Sequence, residues 1–403
     1  MYTTYKEIEK GRWNMYRKTY VEINEDTIKN NIKEIKQKYD NYQYYIGVVK
    51  GNAYGHGAYI TKAMREAGIN YFATSSLEEA IEVRNYDRDT PILCLEPIDP
   101  EYIEDILKYK VTITIDSFSL AQLYHALKFK GQVKVHIKLD TGMNRLGIKE
   151  KEELHKTIKL LEANQSFIIE GIYTHMATTG VYDIYYDRQV DTFLKLLQEI
   201  DLTKIPIVHL GRSLTLVNHE KLDIVTGIRL GIILYGFNGS LPVSRGIRGY
   251  LSEVKRNHFL KKYDVSETIR QNNLKLKTAF SLYTTVMSLK EIKKDEFVGY
   301  GAKFIAKKNG FIATIPIGYA DGMSKNLKYV SIHGTKYTII DVCMDMTLLL
   351  VDSHVHLHDR VEIFGNTISI REAANNLGEN VYHLFIRITT RVPRVYQEIE
   401  IKY

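Results

Sequence analysis

A chain of 403 residues with 44% hydrophobic content is longer than one ordinary core requires, so two domains or one large barrel with an appendage is expected. Its 55 Lys+Arg against 48 Asp+Glu give a formal charge of +7, spread along the sequence rather than massed in blocks, which suits anionic small molecules and sets nucleic acid aside as a partner. Cys94 and Cys343 lack metal-ligand spacing, and neither the opening MYTTYKEIEKGRWNMYRK nor any later stretch has the apolar run of a signal core or a membrane span; a reduced, cytoplasmic protein with no structural metal and no membrane contact is expected.

Residues 1–18 read as an N-terminal extension, and TYVEI (19–23) as a strand that joins the β-rich part of the chain, having no neighbour in the pattern that follows it. From Tyr44 onward, short β-branched or apolar runs alternate with amphipathic stretches. The runs are YYIGVV (44–49), YFATSS (71–76), PILCLE (91–96), VTITID (111–116), VKVHIKLD (133–140), IIEGIYTH (168–175), PIVHLG (206–211) and DIVTGIRL (223–230). SLEEAIEVRN (76–85), KEELHKTIKLLEAN (151–164) and DRQVDTFLKLLQEI (187–200) carry helical periodicity between them. This alternation predicts a closed (β/α)8 barrel of the TIM type over residues 19–243, because an open sheet of eight strands leaves two edges to protect; a doubly wound sheet is the alternative. Beyond Gly236 the texture changes. Residues 244–277 hold nine Lys/Arg against three Asp/Glu, a basic insertion or linker in which VKRNHFLKKY (254–263) spaces apolar residues near a helical period. Residues 278–403 then predict a C-terminal β domain from FSLYTTVMSL (280–289), FIATIPIG (311–318), YTIIDVCM (337–344), LLLVD (348–352) and DRVEIFG (359–365).

In a (β/α)8 barrel the reactive groups sit where strands end, on the C-terminal face. Lys50 ends the first barrel strand, Lys138 the fifth with Arg145 seven residues on, His175 the sixth, and Arg229 the eighth, while Ser213 follows the seventh. A lysine that terminates a buried strand is desolvated, which lowers its pKa and makes it competent as a Schiff-base amine. The loops after the last two strands are the usual phosphate seat of this fold, and here they offer the Ser213 hydroxyl and the backbone of Gly231 and Ile232. A Schiff-base lysine facing a phosphate seat points to pyridoxal 5′-phosphate.

VVKGNAYGHG (48–57), KLDTGMNRLGI (138–148), GIYTHMA (171–177), GIRLGIILYG (227–236), YGAKF (300–304), IPIGYADG (315–322), CMDM (343–346) and RVPR (391–394) resemble, in order and over almost the whole chain, the alanine racemase family. The resemblance implies a fold-type III barrel with a C-terminal β domain, pyridoxal phosphate, and a homodimer whose active sites combine the barrel of one subunit with the β domain of the other. It implies Lys50 as the Schiff-base lysine and one catalytic base, and Tyr300 of the partner copy as the base on the opposite face, since racemisation removes a proton from one face of a planar centre and returns one to the other. It further implies that Arg229 meets the pyridine nitrogen and His175 links Arg229 to Tyr300. Arg145 meets cofactor and substrate carboxylate, Lys138 sits where a carbamylated lysine is often found, Tyr54, Ser213, Gly231, Ile232 and Tyr319 surround the phosphate or its approach, and the Met344 backbone touches substrate. The activity implied is interconversion of L- and D-alanine, supplying D-alanine for cell-wall synthesis.

Several positions depart from the family pattern. Gly180 stands where an aspartate is usual, Asp341 where an arginine is, Lys325 where arginine is frequent, and Arg212 where an asparagine is. Asp341 and Lys325 are suited to pair with each other. Thr390 occupies a place often held by tyrosine near the substrate methyl, so serine or a broader amino-acid range stands as an alternative to alanine. A non-catalytic cofactor-binding protein would need the lysine but not Tyr300, and YGAKF and CMDM favour the racemase over a decarboxylase of the same fold type.

Overall fold

The computed structural model describes residues 16–178, 183–237 and 273–396, together with Leu251, Val254, Lys255, His258 and Lys261. Gly180, residues 1–15 of the N-terminal extension and most of the basic insertion lie outside the described residues; within the insertion, Leu251 and Val254 are exposed. The chain divides into two compact units, one of Ile23–Phe280 with the segment from Tyr396 onward, the other of Ser281–Val395 with the segment that ends at Glu22.

The first strand, β1 (Tyr20–Ile23), belongs to the sheet of the second unit, as expected from its sequence isolation. The larger unit is a closed parallel barrel of β2 (Tyr44–Val48), β3 (Tyr71–Thr74), β4 (Ile92–Cys94), β5 (Val111–Ile115), β6 (Val133–Lys138), β7 (Phe167–Tyr173), β8 (Ile207–His209) and β9 (Gly227–Leu230). β9 closes on β2 with Tyr44 opposite Gly227 and Gly47 opposite Leu230. These strands form where β-branched residues accumulate: VTITI of β5 is buried at every position, as a barrel strand covered on both faces must be. Intervening helices begin at side-chain caps, with Ser76 accepting from the Glu79 N–H and Ser117 from the Leu120 N–H. The helix Glu25–Lys38 buries Ile28, Ile32 and Ile35, one face at i, i+4 and i+7.

The barrel interior is not the layered aliphatic core usual for this architecture. Alternation along β6 aligns Lys134, His136 and Lys138 on one face; His136 bonds His209 of β8 and the Tyr71 hydroxyl of β3 donates to Glu170 of β7, pairs drawn from strands that are not neighbours. The register of β6 against β7 slips between Val135 and His136, so Glu170 lacks a ladder partner and its side chain escapes strict alternation.

The second unit holds β10 (Phe280–Thr285), β11 (Ser288–Ile292), the small hairpin β12 (Phe297–Val298) and β13 (Phe304–Ile305), then β14 (Gly310–Ile315), β15 (Tyr329–Ile332), β16 (Thr335–Val342), β17 (Thr347–Val351), β18 (Arg360–Phe364) and β19 (Arg394–Tyr396). Nine of its strands form one sheet in the order β11-β14-β17-β16-β15-β18-β10-β1-β19. The run FSLYTTVMSL is two strands rather than one, broken at Val286 and Met287. Strand β15 and the helices Ile370–Leu377 and Val381–Arg387 were not among the sequence expectations.

Candidate active site

Lys50 stands immediately past β2, where the backbone does something unusual for L-residues. Gly51, Asn52, Ala53, Tyr54 and Gly55 all have positive φ (62°, 53°, 50°, 53° and 79°), making a turn of left-handed helix. Hydrogen bonds from Ala53 N–H to Val49 O (2.8 Å) and from Gly55 N–H to Gly51 O (2.9 Å) hold it. Each non-glycine residue in this conformation costs about 1–2 kcal/mol, so the turn persists only because its surroundings enforce it. Glu79 does part of this: its carboxylate accepts the Gly51 N–H at 2.6 Å and the Ser75 N–H at 2.8 Å, tying the ends of β2 and β3 together. Burial lowers the Lys50 pKa, and Arg145 adds to the effect against the opposing pull of Glu79 and Glu96.

The left-handed turn delivers Tyr54 toward the start of the segment after β9. The Tyr54 ring lies 5.0 Å from that of Tyr235. An added Cβ on Gly231 would sit 2.9 Å from Tyr54 Oη and 3.7 Å from Ser213 Oγ, so two hydroxyls converge over bare backbone. The Gly231 N–H donates to Ser213 Oγ at 3.0 Å, which leaves the serine proton free to donate onward. Buried Ile232 follows.

Arg229 of β9 is buried and donates to His209 Nδ1 at 2.6 Å, to Thr174 O at 2.7 Å, to Leu210 O at 3.2 Å and toward His175 Nδ1 at 3.3 Å. Its Nε–H has no acceptor among the described residues. Burial, followed by the charges of Arg229 and Arg212, pushes His175 down to about 2, so its imidazole is neutral. Lys138 lies with its ammonium 4.6 Å from the Tyr173 ring centroid, and burial with Arg229 and Arg145 lowers it to about 7. The barrel end therefore gathers Lys50, Lys138, Arg145, Arg212 and Arg229, cations that perturb one another. A cluster of this kind calls for an anion with several charges.

Tyr300, Tyr319 and Met344 belong to the other unit. Tyr300 lies on a one-turn helix, Tyr300–Ala302, its side chain 78% exposed and its N–H donating to Asp341 Oδ2 at 3.0 Å. Asp341 follows a register slip of β16 against β17, which aims its carboxylate at this turn; the preceding Gly299 (φ 76°) passes so close that a Cβ would lie 2.9 Å from Oδ2. The suggested pairing of Asp341 with Lys325 is absent. Asp341 takes the Tyr300 N–H instead, and the Lys325 ammonium rests 4.4 Å from the Tyr319 ring centroid. Tyr319 and Met344 are brought together: Tyr319 N–H donates to Cys343 O and Ala320 N–H to Met344 O, both at 3.0 Å, and Gly318 is needed because a Cβ there would meet Met344 O at 2.3 Å. Thr390 is exposed. Cys94 is buried, which pushes its thiol up to about 12 and leaves it inert.

Sequence reasoning missed Glu79, His209, His136 and Glu170. The alternation of VKVHIKLD held the signal for His136, since it shares a face with Lys138; Glu79 carried none beyond its place three residues after a helix cap.

The chain matches the model of the alanine racemase N-terminal domain over residues 23–239 and that of the C-terminal domain over residues 279–396. It is 33% identical to alanine racemase 1 of Caldanaerobacter subterraneus subsp. tengcongensis, covering 94% of this chain and 95% of that one. It is also 33% identical to alanine racemase 1 of Bacillus subtilis, covering 95% and 94%. Among solved structures, alanine racemase from Bacillus anthracis with bound L-Ala-P superposes with a TM-score of 0.83 at 30% identity, covering 97% of each chain. A histidine racemase from Leuconostoc mesenteroides superposes with a TM-score of 0.81 at 25% identity, over 95% of this chain and 98% of that one. With both domains matched in order over a barrel and a β sheet of the expected kinds, the chain belongs to the alanine racemase family.

Proposed function

We propose that this racemase interconverts L- and D-alanine with pyridoxal 5′-phosphate held on Lys50, using Lys50 and the Tyr300 hydroxyl of a second copy as bases on opposite faces of the substrate. The observation that carries the reading is the cradle at Gly231, where the Tyr54 and Ser213 hydroxyls converge on backbone bare of a side chain at the end of a barrel otherwise crowded with cations. These residues fit the cofactor: Tyr54, Ser213, Gly231 and Ile232 would hold its phosphate, with Tyr319 lining the approach, and the unused Nε–H of Arg229 would meet its ring nitrogen. When bound, the group withdraws electrons from the substrate α-carbon and makes its C–H acidic.

The chain's own groups do the rest. Lys50 Nζ, its basicity lowered by burial, holds or returns a proton on one face, and Tyr300 Oη does so on the other. Arg229, permanently cationic, disfavours a proton on any ring nitrogen it touches, because like charges oppose each other. His175 sits beside Arg229 and orients it, and Arg145 would meet the substrate carboxylate, with the Met344 backbone lining its place. An amine brought down to about 7, as Lys138 is, presents the free base that carbamylation requires; the product would be an anion able to fix Arg145. The exposure of Tyr300 and Met344 fits a homodimer in which each copy completes the other's site. Among the described residues no helix is long and apolar enough to cross a membrane, which agrees with a cytoplasmic enzyme. A second reading, a broader amino-acid range, is favoured by Thr390 and by the histidine racemase likeness; chiral chromatography over a panel of L-amino acids decides between the two.

Mixing tests the shared site. Lys50→Ala and Tyr300→Phe are each expected to be nearly inactive, yet dissociating and reassociating equal amounts should restore about a quarter of wild-type activity, because half the dimers are mixed and each of those has one intact site. No recovery from a mixture shown to contain mixed dimers would refute the shared arrangement.

A further inference from the structure

Arg229 is 3% exposed, yet no carboxylate among the described residues lies within ion-pair distance of its guanidinium. A buried cation is stable only when something compensates it. Backbone carbonyls of Thr174, His209 and Leu210 supply dipoles, and among the described residues a full negative charge is reached through His209. Arg229 Nη1 donates to His209 Nδ1 at 2.6 Å, His209 Nε2 lies 2.9 Å from His136 Nδ1, and His136 Nε2 faces Glu170 Oε2 at 3.5 Å with no closer acceptor. The line runs down the inside of the barrel, through β9, β8, β6 and β7.

We propose that Glu170, acting through His136 and His209, is a positioning residue for Arg229: a one-way line of N–H donors locks both imidazoles neutral in the Nε2–H tautomer and brings to Arg229, from inside the barrel, the negative charge it lacks beside it. The direction is forced by chemistry. A guanidinium cannot accept, so His209 Nδ1 must, which puts the single proton of that neutral ring on Nε2. That proton is donated to His136 Nδ1, so His136 in turn carries its proton on Nε2, pointing at a carboxylate that can only accept. Each ring is held in plane. Tyr173 stacks on His209 at 4.6 Å and 10°, and His136 fills the space above Gly171, where an added Cβ would come within 2.5 Å of the ring. Glu170 is kept ionised: burial pushes its carboxyl up, but the facing His136 Nε2 at 3.5 Å and hydrogen bonds from Lys134 Nζ (2.5 Å) and the Tyr71 hydroxyl (2.6 Å) outweigh this and bring it down to about 2. Burial lowers both histidines, so neither is protonated near neutral pH. The catalytic consequence alone rests on the proposed function: a guanidinium clamped along one edge keeps its Nε–H aimed at the cofactor ring.

The test starts in cofactor-free protein labelled with [15N]histidine, with His136 and His209 assigned by substitution to glutamine. Long-range 1H–15N correlation is expected to show both rings as neutral Nε2–H tautomers at neutral and mildly alkaline pH. An Nδ1–H tautomer in either ring overturns the proposal, whether or not the protein is a racemase. Glu170→Gln keeps an acceptor at the Oε2 place but removes the charge, so the tautomers, set from the Arg229 end, are expected to persist in the folded variant; an Nδ1–H ring in it also overturns the proposal. Loaded with cofactor, Glu170→Gln should lose about tenfold or more in kcat with KM changed by less than about threefold, in the range seen when partners behind a directly contacting residue are removed. An unaltered kcat removes the positioning role even where the tautomers behave as expected. Should the variant not fold, the wild-type tautomers decide alone.

Discussion

Replacing Gly231 by alanine puts a methyl group where the cofactor phosphate is expected to approach. The added Cβ would stand 2.9 Å from Tyr54 Oη, 3.6 Å from its Cζ and 3.7 Å from Ser213 Oγ. The Tyr54 hydroxyl must retreat by about half an ångström to reach ordinary contact, and its room is limited by the left-handed turn that carries it and by the neighbouring Tyr235 ring. Overpacking on this scale costs the fold about 1 kcal/mol, because only the far end of one side chain has to give. Cofactor binding suffers more. A hydrogen bond to a charged group contributes about 1.5–3 kcal/mol, and displacing the tyrosine donor while screening the serine removes two, about 3–6 kcal/mol or roughly 10²- to 10⁴-fold in Kd. Titrating cofactor-free protein with pyridoxal phosphate, followed by intrinsic fluorescence, measures the loss; thermal melting without cofactor separates it from the small stability cost. Gly310→Ala in β14, where an added Cβ meets nothing within 4 Å, is the control. A Kd within about threefold of wild type for Gly231→Ala would place the phosphate elsewhere.

Borohydride reduction of the loaded protein followed by peptide mapping should find the cofactor mass on the peptide containing Lys50, with no adduct in Lys50→Ala; an adduct on another lysine would reassign the attachment. Asp341→Ala removes the acceptor of the Tyr300 N–H, a bond of about 1–2 kcal/mol, so exchange of that amide should quicken by about tenfold, and an unchanged rate would show that the carboxylate does not hold the turn. Glu170, lowered from 4.5 to about 2, contributes stability that is fully present above pH 4.5 and is lost as pH falls through about 2. The shift corresponds to about 3 kcal/mol, so the stability advantage of wild type over Glu170→Gln in urea unfolding of cofactor-free protein should be level above about pH 5.5 and shrink below 4.5; a constant difference down to about pH 2.5 would contradict it.

The eight barrel strands were legible because each is a short apolar run closed by polar or glycine-containing segments, and the helices between them carry clear periodicity. Strand β15 was hidden because YVSI sits between lysine-rich and glycine turns, with only four residues to show an alternation. The two late helices are short and begin at Ser369 and Asn380, caps that a β-rich expectation passed over. Residues at strand ends were legible as a group, since parity and position fix which side chains reach the C-terminal face. What lay deeper was not: GNAYGHG looks like a glycine turn, but positive φ extends through Asn52, Ala53 and Tyr54, whose side chains give no warning of it. Glu170 escaped notice for a related reason. Simple alternation does not reveal a register slip.

Strand β1 lies in the sheet between β10 and β19, with the Val21 N–H donating to Pro393 O at 2.9 Å. The two neighbours are separated from it by some 260 and 370 positions, so this part of the sheet is among the last things a ribosome makes possible. At about 5–20 residues per second, β1 emerges roughly 20–75 s before β19 exists. All eight barrel strands are synthesised within that interval, well before its end, while β1 presents unpaired edges to whatever is nearby. Chaperone dependence and early aggregation of this protein should therefore be set by Tyr20–Ile23 rather than by the much larger barrel.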